Sequence, residues 1–228
     1  MARVIRNIPR PSNLVVQQLA HSGVATVHEA QGRRGLFAEY LRPIWRPAQI
    51  AGPAVTCEVH PGDNWAIHVA VEQCRPGDIL VVAPTTSSNH GYLGDLLAAS
   101  LQARGVRGVV IDGGVRDVSA LTQMQFPVWS RTIHAAGTVK EIPGNVNCPL
   151  ACGGMVVLPG DVVVADDDGV CLVRLQEAED VAILCQEREQ REATIRARLA
   201  AGELGLDIYD MRARLAERGL SYQDDPPP

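Results

Sequence analysis

Short apolar runs alternate with amphipathic stretches through the middle of the chain. Residues 78–83, Asp-Ile-Leu-Val-Val-Ala, follow the turn Arg75-Pro76-Gly77 and read as a buried strand. Residues 106–111 read as a second strand and 128–130 as a third. Between them, 94–103 and 117–124 have helical spacing, the first ended by Arg104-Gly105. Strands alternating with crossover helices predict an α/β layer with at least some parallel pairing. Upstream, Ser12 is placed to cap a helix to about residue 19, and 25–30 predicts another before Gly32. Residues 49–59 read as a strand with a Gly-Pro irregularity, and 64–74 as a helix.

From Met155 the pattern changes to short strands at 155–158, 161–165 and 169–173. The run Asp166-Asp167-Asp168-Gly169 fits a hairpin turn, which accounts for its acidity better than a metal site does. A long charged helix is predicted from residue 176 to about 200, then a second to about 218, and the Pro226–Pro228 end reads as disordered. Neither a repeat nor a linker divides the chain. It reads as one domain, residues 1–175, with a helical extension, 176–228.

At 228 residues and 46% hydrophobic content the chain is long and apolar enough to bury a full core. A net charge of -5 argues against a nucleic-acid binder, which concentrates positive charge on one face. The polar N-terminus carries Arg3, Arg6 and Arg10 with no apolar run behind it, and no stretch reaches membrane-spanning length. A cytoplasmic protein is therefore expected, contacting neither membrane nor nucleic acid. Six scattered cysteines suit small buried hydrophobes in a reducing compartment, and only Cys148 and Cys152 lie close together, without a second pair to complete a zinc pattern. Lys140 is the chain's single lysine, in a stretch rich in turn formers. An exposed loop lysine disfavours Schiff-base chemistry, which needs a desolvated amine.

Two segments carry candidate chemistry. In the first, the polar loop after residue 83 enters a helix at Gly94-Asp95-Leu96-Leu97. Free N–H groups and the helix dipole there suit a small anion such as a carboxylate. Asp95 is also explained as a first-turn residue that favours the dipole. In the second, the strand before Asp112-Gly113-Gly114-Val115-Arg116-Asp117 ends in glycines, with Arg116 and Asp117 at the start of the next helix. Arginine can hold a carboxylate through two hydrogen bonds, and aspartate is a hard oxygen ligand for magnesium. A helix cap at Asp117 and a surface ion pair at Arg116 are the alternatives. Both segments sit at carboxyl ends of strands, where open α/β sheets bind ligands.

Gly94-Asp95-Leu96-Leu97, the run from Asp112 to Asp117, and the tail 201–207, Ala-Gly-Glu-Leu-Gly-Leu-Asp, resemble the 4-hydroxy-4-methyl-2-oxoglutarate / 4-carboxy-4-hydroxy-2-oxoadipate aldolase family over nearly the whole chain. The resemblance implies an α/β/β/α sandwich of the swivelling-domain type with a helical C-terminal extension, assembled as a trimer or hexamer with sites between subunits. It implies a class II pyruvate aldolase, dependent on Mg²⁺ or Mn²⁺, with oxaloacetate decarboxylation through the same pyruvate enolate. Asp117 would be the metal's one direct protein ligand, and Arg116 would stabilise enolate charge. Backbone amides of Gly94, Asp95, Leu96 and Leu97 would hold the substrate carboxylate, and Asp95 a metal-bound water. Glu192 would reach a neighbouring subunit's metal waters, and Glu29 matches a further active-site glutamate. Apart from the resemblance, Glu192 is spaced to pair with Arg196, Glu29 is an ordinary helix-end carboxylate, and His28 is structural. The same fold serves non-catalytic regulators of ribonuclease E activity, which the resemblance separates by their lack of the long extension and of an aspartate after the arginine.

Overall fold

The computed structural model describes residues 1–224. The strands are β1 (Arg42–Pro43), β2 (Ile50–Val59), β3 (Ile79–Pro84), β4 (Gly91–Leu93), β5 (Gly108–Val115), β6 (Val128–Ile133), β7 (Leu150–Cys152), β8 (Met155–Val157), β9 (Val162–Asp166) and β10 (Gly169–Val173). The helices are α1 (Asn13–Ala30), α2 (Trp65–Gln73), α3 (Asp95–Ala103), α4 (Val118–Gln123), α5 (Ala178–Ala200), α6 (Gly205–Ile208) and α7 (Arg212–Glu217). Two compact units divide the chain, Met1–Cys185 and the remainder from Gln186.

In the first unit one sheet runs in the order β1-β6-β5-β3-β2-β9-β10, with β4 added to the end of β5. The β2–β3, β3–β5 and β5–β6 pairs are parallel, and β2–β9 and β9–β10 antiparallel. Their valine- and isoleucine-rich sequences follow from burial on both faces. Val81 and Val110 point into one apolar cluster, Leu80 and Val109 into another. The first cluster fills the curl of the sheet, whose edges come round so that Arg42 of β1 donates to the Asp168 carbonyl in the β9–β10 turn. Trp129 crosses this interior from β6, fully buried, and donates to the Asp166 carbonyl at 2.8 Å. Helices α2, α3 and α4 cover the sheet's outer face on one side, and α1 with the start of α5 covers β9 and β10 on the other. The result is the expected α/β/β/α layering, closed almost into a barrel.

Several elements differ in detail from the sequence reading. The two N-terminal helices form one stretch broken at Gly23, and Ser12 caps it by accepting from Val15 N at 3.3 Å. β5 does not end at its glycines but runs through them to Val115, with a register shift between Ile111 and Gly114. β4 lies in what reads as polar loop, because its three residues are too few to show an alternation. β7 is likewise too short, and the final helix is two short ones, α6 and α7. The Asp166–Gly169 hairpin forms as expected, with Asp168 N donating to Asp166 Oδ1 at 2.8 Å. Residues 226–228 lie outside the described part. Among the described residues no helix is long and apolar enough to cross a membrane.

Candidate active site

The pairing of β4 with the end of β5 sets Gly91 opposite Gly114 and Leu93 opposite Val115. Gly94, the first residue after β4, therefore meets Arg116 and Asp117, the first two after β5. Arg116 N donates to Leu93 O at 3.0 Å. A Cβ on Gly94 would collide with Asp117 Oδ2 and stand 3.3 Å from Arg116 Cγ and Nε, so a side chain there would displace the Asp117 carboxylate. Asp117 has φ 58° and ψ 35°, a left-handed conformation uncommon for a side-chain-bearing residue. Its side chain makes no capping bond to α4. Instead Oδ2 accepts from Asp95 N at 3.4 Å and lies 3.5 Å from Arg116 Nε. The cap alternative for Asp117 is thus not what forms. Asp95 sits in the first turn of α3, its Oδ1 accepting from Leu96 N at 2.8 Å.

Gly91, Gly94, Asp95, Leu96, Leu97 and Arg116 form one side of a cleft of about 160 Å³, with Asp117 adjoining it behind Arg116 and Asp95. Asn64 and His68 of the α2 region, Tyr92 and Lys140 complete it. Asn64 donates through Nδ2 to Tyr92 O at 2.9 Å, while its buried Oδ1 has no hydrogen-bond partner among the described residues. A buried acceptor left unpaired is costly, and a ligand in the cleft would supply the missing donor. Burial first, and then the charge of Lys140, push the His68 pKa down, which favours its neutral form. Arg116 and Lys140 are the cleft's cationic side chains, a charge balance suited to a molecule with more than one carboxylate.

Lys140 is exposed, as its turn-rich stretch predicts, but it belongs to the cleft. Nothing in its local pattern reveals this, since its place is set by Val139 bridging to Asp63, far away in sequence. Asn64 and His68 were legible only as part of a helix, for the same reason.

Glu29 lies at the end of α1, ion-paired to Arg33 at 3.0 Å, on a helix that packs against β9 and β10 rather than on the cleft side of the sheet. Glu192 belongs to the second unit, where it pairs with Arg188 at 2.8 Å, one turn back, and not with the expected Arg196. His28 is held by the Arg34 carbonyl at 2.9 Å. Cys57, Cys74, Cys152, Cys171 and Cys185 are buried. A larger hollow, about 450 Å³, adjoins the β9–β10 turn, but two of its three carboxylates are engaged in holding the fold. Asp167 accepts from Ala48 N at 3.1 Å, and Asp166 from Val24 N at 2.7 Å and Asp168 N at 2.8 Å.

Among the described residues no three His, Cys, Asp or Glu side chains converge as a metal-binding group. The carboxylate that lines the cleft is Asp95, and Asp117, turned away from its own helix, adjoins it through Asp95 N and Arg116. So sparse a set fits magnesium or manganese better than zinc, because magnesium takes one or two carboxylates and completes its shell with water and substrate oxygens.

A guanidinium and a carboxylate thus lie beside a helix N-terminus at the carboxyl ends of parallel strands, an arrangement that suits a small anion in an α/β protein. The chain belongs to the RraA-like family, and the Aldolase/RraA family model matches residues 24–172. It is 33% identical over 158 residues to a Halalkalibacterium halodurans protein named "Putative 4-hydroxy-4-methyl-2-oxoglutarate aldolase", covering 69% of this chain and 74% of that one. A Burkholderia multivorans protein of the same name is 32% identical over 66% of this chain and 93% of its own. Among solved structures, Streptomyces coelicolor RraAS2, described as an unusual member of the RNase ES inhibitor RraA family, superposes with a TM-score of 0.74. It is 31% identical, covering 83% of this chain and 99% of that one.

Proposed function

We propose that this chain is a divalent-metal-dependent carbon–carbon lyase. It would cleave 4-carboxy-4-hydroxy-2-oxoadipate or 4-hydroxy-4-methyl-2-oxoglutarate to pyruvate plus oxaloacetate or a second pyruvate. The observation that carries this reading is the left-handed Asp117, its carboxylate held off its own helix and beside Arg116 and the N-terminus of α3. The relatives named as aldolases support it.

Asp117, with Asp95 beside it, would hold Mg²⁺ or Mn²⁺, which when bound supplies Lewis-acid stabilisation of developing oxyanion charge. The amides of Gly94–Leu97 bind the carboxylate next to the 2-oxo group, aided by the helix dipole. Arg116 places its guanidinium where enolate charge develops, an interaction stronger in the transition state than in the ground state. Lys140 holds the carboxylate at the substrate's far end. Loss of the C4 hydroxyl proton breaks the C3–C4 bond, and the electron pair passes into the C2 carbonyl. A proton delivered to C3 then gives pyruvate. Oxaloacetate yields the same enolate by losing carbon dioxide, so decarboxylation is a second activity of this cleft. Glu192 enters this scheme as a group donated by a neighbouring copy, in a trimer or hexamer, and Glu29 as a further active-site carboxylate.

The test is pyruvate release from both substrate types and from oxaloacetate, with magnesium and with excess chelator. Chelator-sensitive turnover, lost in Asp117→Asn, supports the reading. Absence of turnover at any metal concentration sinks it, and favours instead a ribonuclease regulator, as the likeness to RraAS2 suggests.

A further inference from the structure

Asp63 ends the turn before α2 and is 1% exposed. Its Oδ1 accepts from Trp65 N at 2.8 Å, satisfying the first turn of α2. Its Oδ2 accepts from two further backbone groups, Glu141 N at 2.6 Å and Ile142 N at 2.9 Å. Main-chain bonds frame the join, Val139 N donating to Gly62 O at 2.9 Å and Asn64 N to Val139 O at 3.1 Å. One carboxylate thus staples the turn that bears Asn64 to the segment that bears Lys140, and both side chains line the cleft.

The choice of residue points beyond helix capping. Serine or asparagine would cap α2 without a buried charge. Neither can accept at two oxygens from three N–H groups, because serine has one oxygen and asparagine would turn an NH₂ toward donors. Burial raises the pKa of Asp63, but the three donors and the nearby His60 outweigh it and hold the group below the ordinary aspartate value. The anion is therefore the form this site is built around.

We propose that Asp63 is a positioning residue for the substrate's far carboxylate, fixing where Lys140 presents its donors. The inference rests on the reading of the cleft as an oxo-acid site. A purely structural Asp63 would alter stability but not the affinity of the folded protein.

Because Lys140 is the only lysine, its acylation by an amine-directed reagent can be followed on a single peptide. In the wild-type protein, malate, a stable dicarboxylate, should slow that acylation. Asp63→Ser keeps a cap for Trp65 N but loses the Glu141 and Ile142 bonds, and Asp63→Asn is the second variant. Each should need roughly tenfold more malate for protection and show a KM for oxaloacetate raised by about the same factor, with kcat changed far less. In a Lys140→Gln background Asp63→Ser should add almost nothing. A variant with a lowered melting temperature but wild-type protection and KM overturns the proposal, as does an effect that adds fully to that of Lys140→Gln. Absence of both protection and turnover in the wild-type protein removes the oxo-acid reading itself, and this inference with it.

Discussion

Asp78 is completely buried and survives there because Arg10 donates to both of its oxygens at 2.8 Å, with Arg75 N adding a third bond at 2.7 Å. Arg10→Met would leave that charge with one donor, and the expected loss is about 3 kcal/mol in urea unfolding. At the cleft the sensitive position is Gly94. An alanine there drives its Cβ against the Asp117 carboxylate, so Gly94→Ala should retain the fold, by circular dichroism, and lose at least roughly tenfold in kcat/KM. Asp63 makes a pH-dependent contribution whose sign follows from its lowered pKa. The folded state binds its proton less readily than the unfolded state does, so its contribution is present above the ordinary aspartate value of about 3.9 and is lost as pH falls through the folded value. The stability gap between wild type and Asp63→Ser should accordingly narrow below about pH 4 in urea titrations.

Between elements, the break in α1 shows how one residue joins two helices to a sheet. Gly23 has φ 74° and ψ 173°, a region essentially restricted to glycine, and Val24 N beyond it is taken by Asp166 Oδ2 of β9 at 2.7 Å. Gly23→Ala should cost about 1–3 kcal/mol, read as a lowered midpoint in denaturant. This break was visible in the sequence as a gap between two helices, but the aspartate that satisfies it was not, since it lies 142 residues away. The same division runs through the whole chain. The apolar runs of β3, β5 and β6 and the spacing of α2 and α3 are local, and they were legible. β4 and β7, of three residues each, carried too little pattern, and β5 extends past its glycines because β4 and the end of β6 pair with them. At the cleft and beside it, Gly94–Leu97, Arg116 and Asp117 could be read from strand ends and a family likeness. Asn64, His68 and Lys140 could not, because a loop-to-helix join through Asp63 brings them there.

For the molecule as a whole, burial along α5 stops at Cys185, after Ala178, Val181 and Ala182. The second unit is held within itself by exposed pairs such as Arg198–Glu203 and Asp207–Arg212, each 2.6 Å, of a kind that contributes little to stability. A chain ended after Ala200 should therefore melt within about 3 °C of the full chain in a thermal scan. If Glu192 serves a neighbouring copy, removing α5 beyond Cys185 should abolish turnover while leaving that melting behaviour little changed. The left-handed backbone of Asp117 has a last consequence, for how this protein can change over generations. Glycine would relax that backbone by about 1 kcal/mol, so Asp117→Gly should raise the melting temperature while erasing turnover. Selection for robustness alone would therefore drift away from the carboxylate. Its retention in a lineage would mark continued demand for the chemistry, and its loss a descendant free to take up another role.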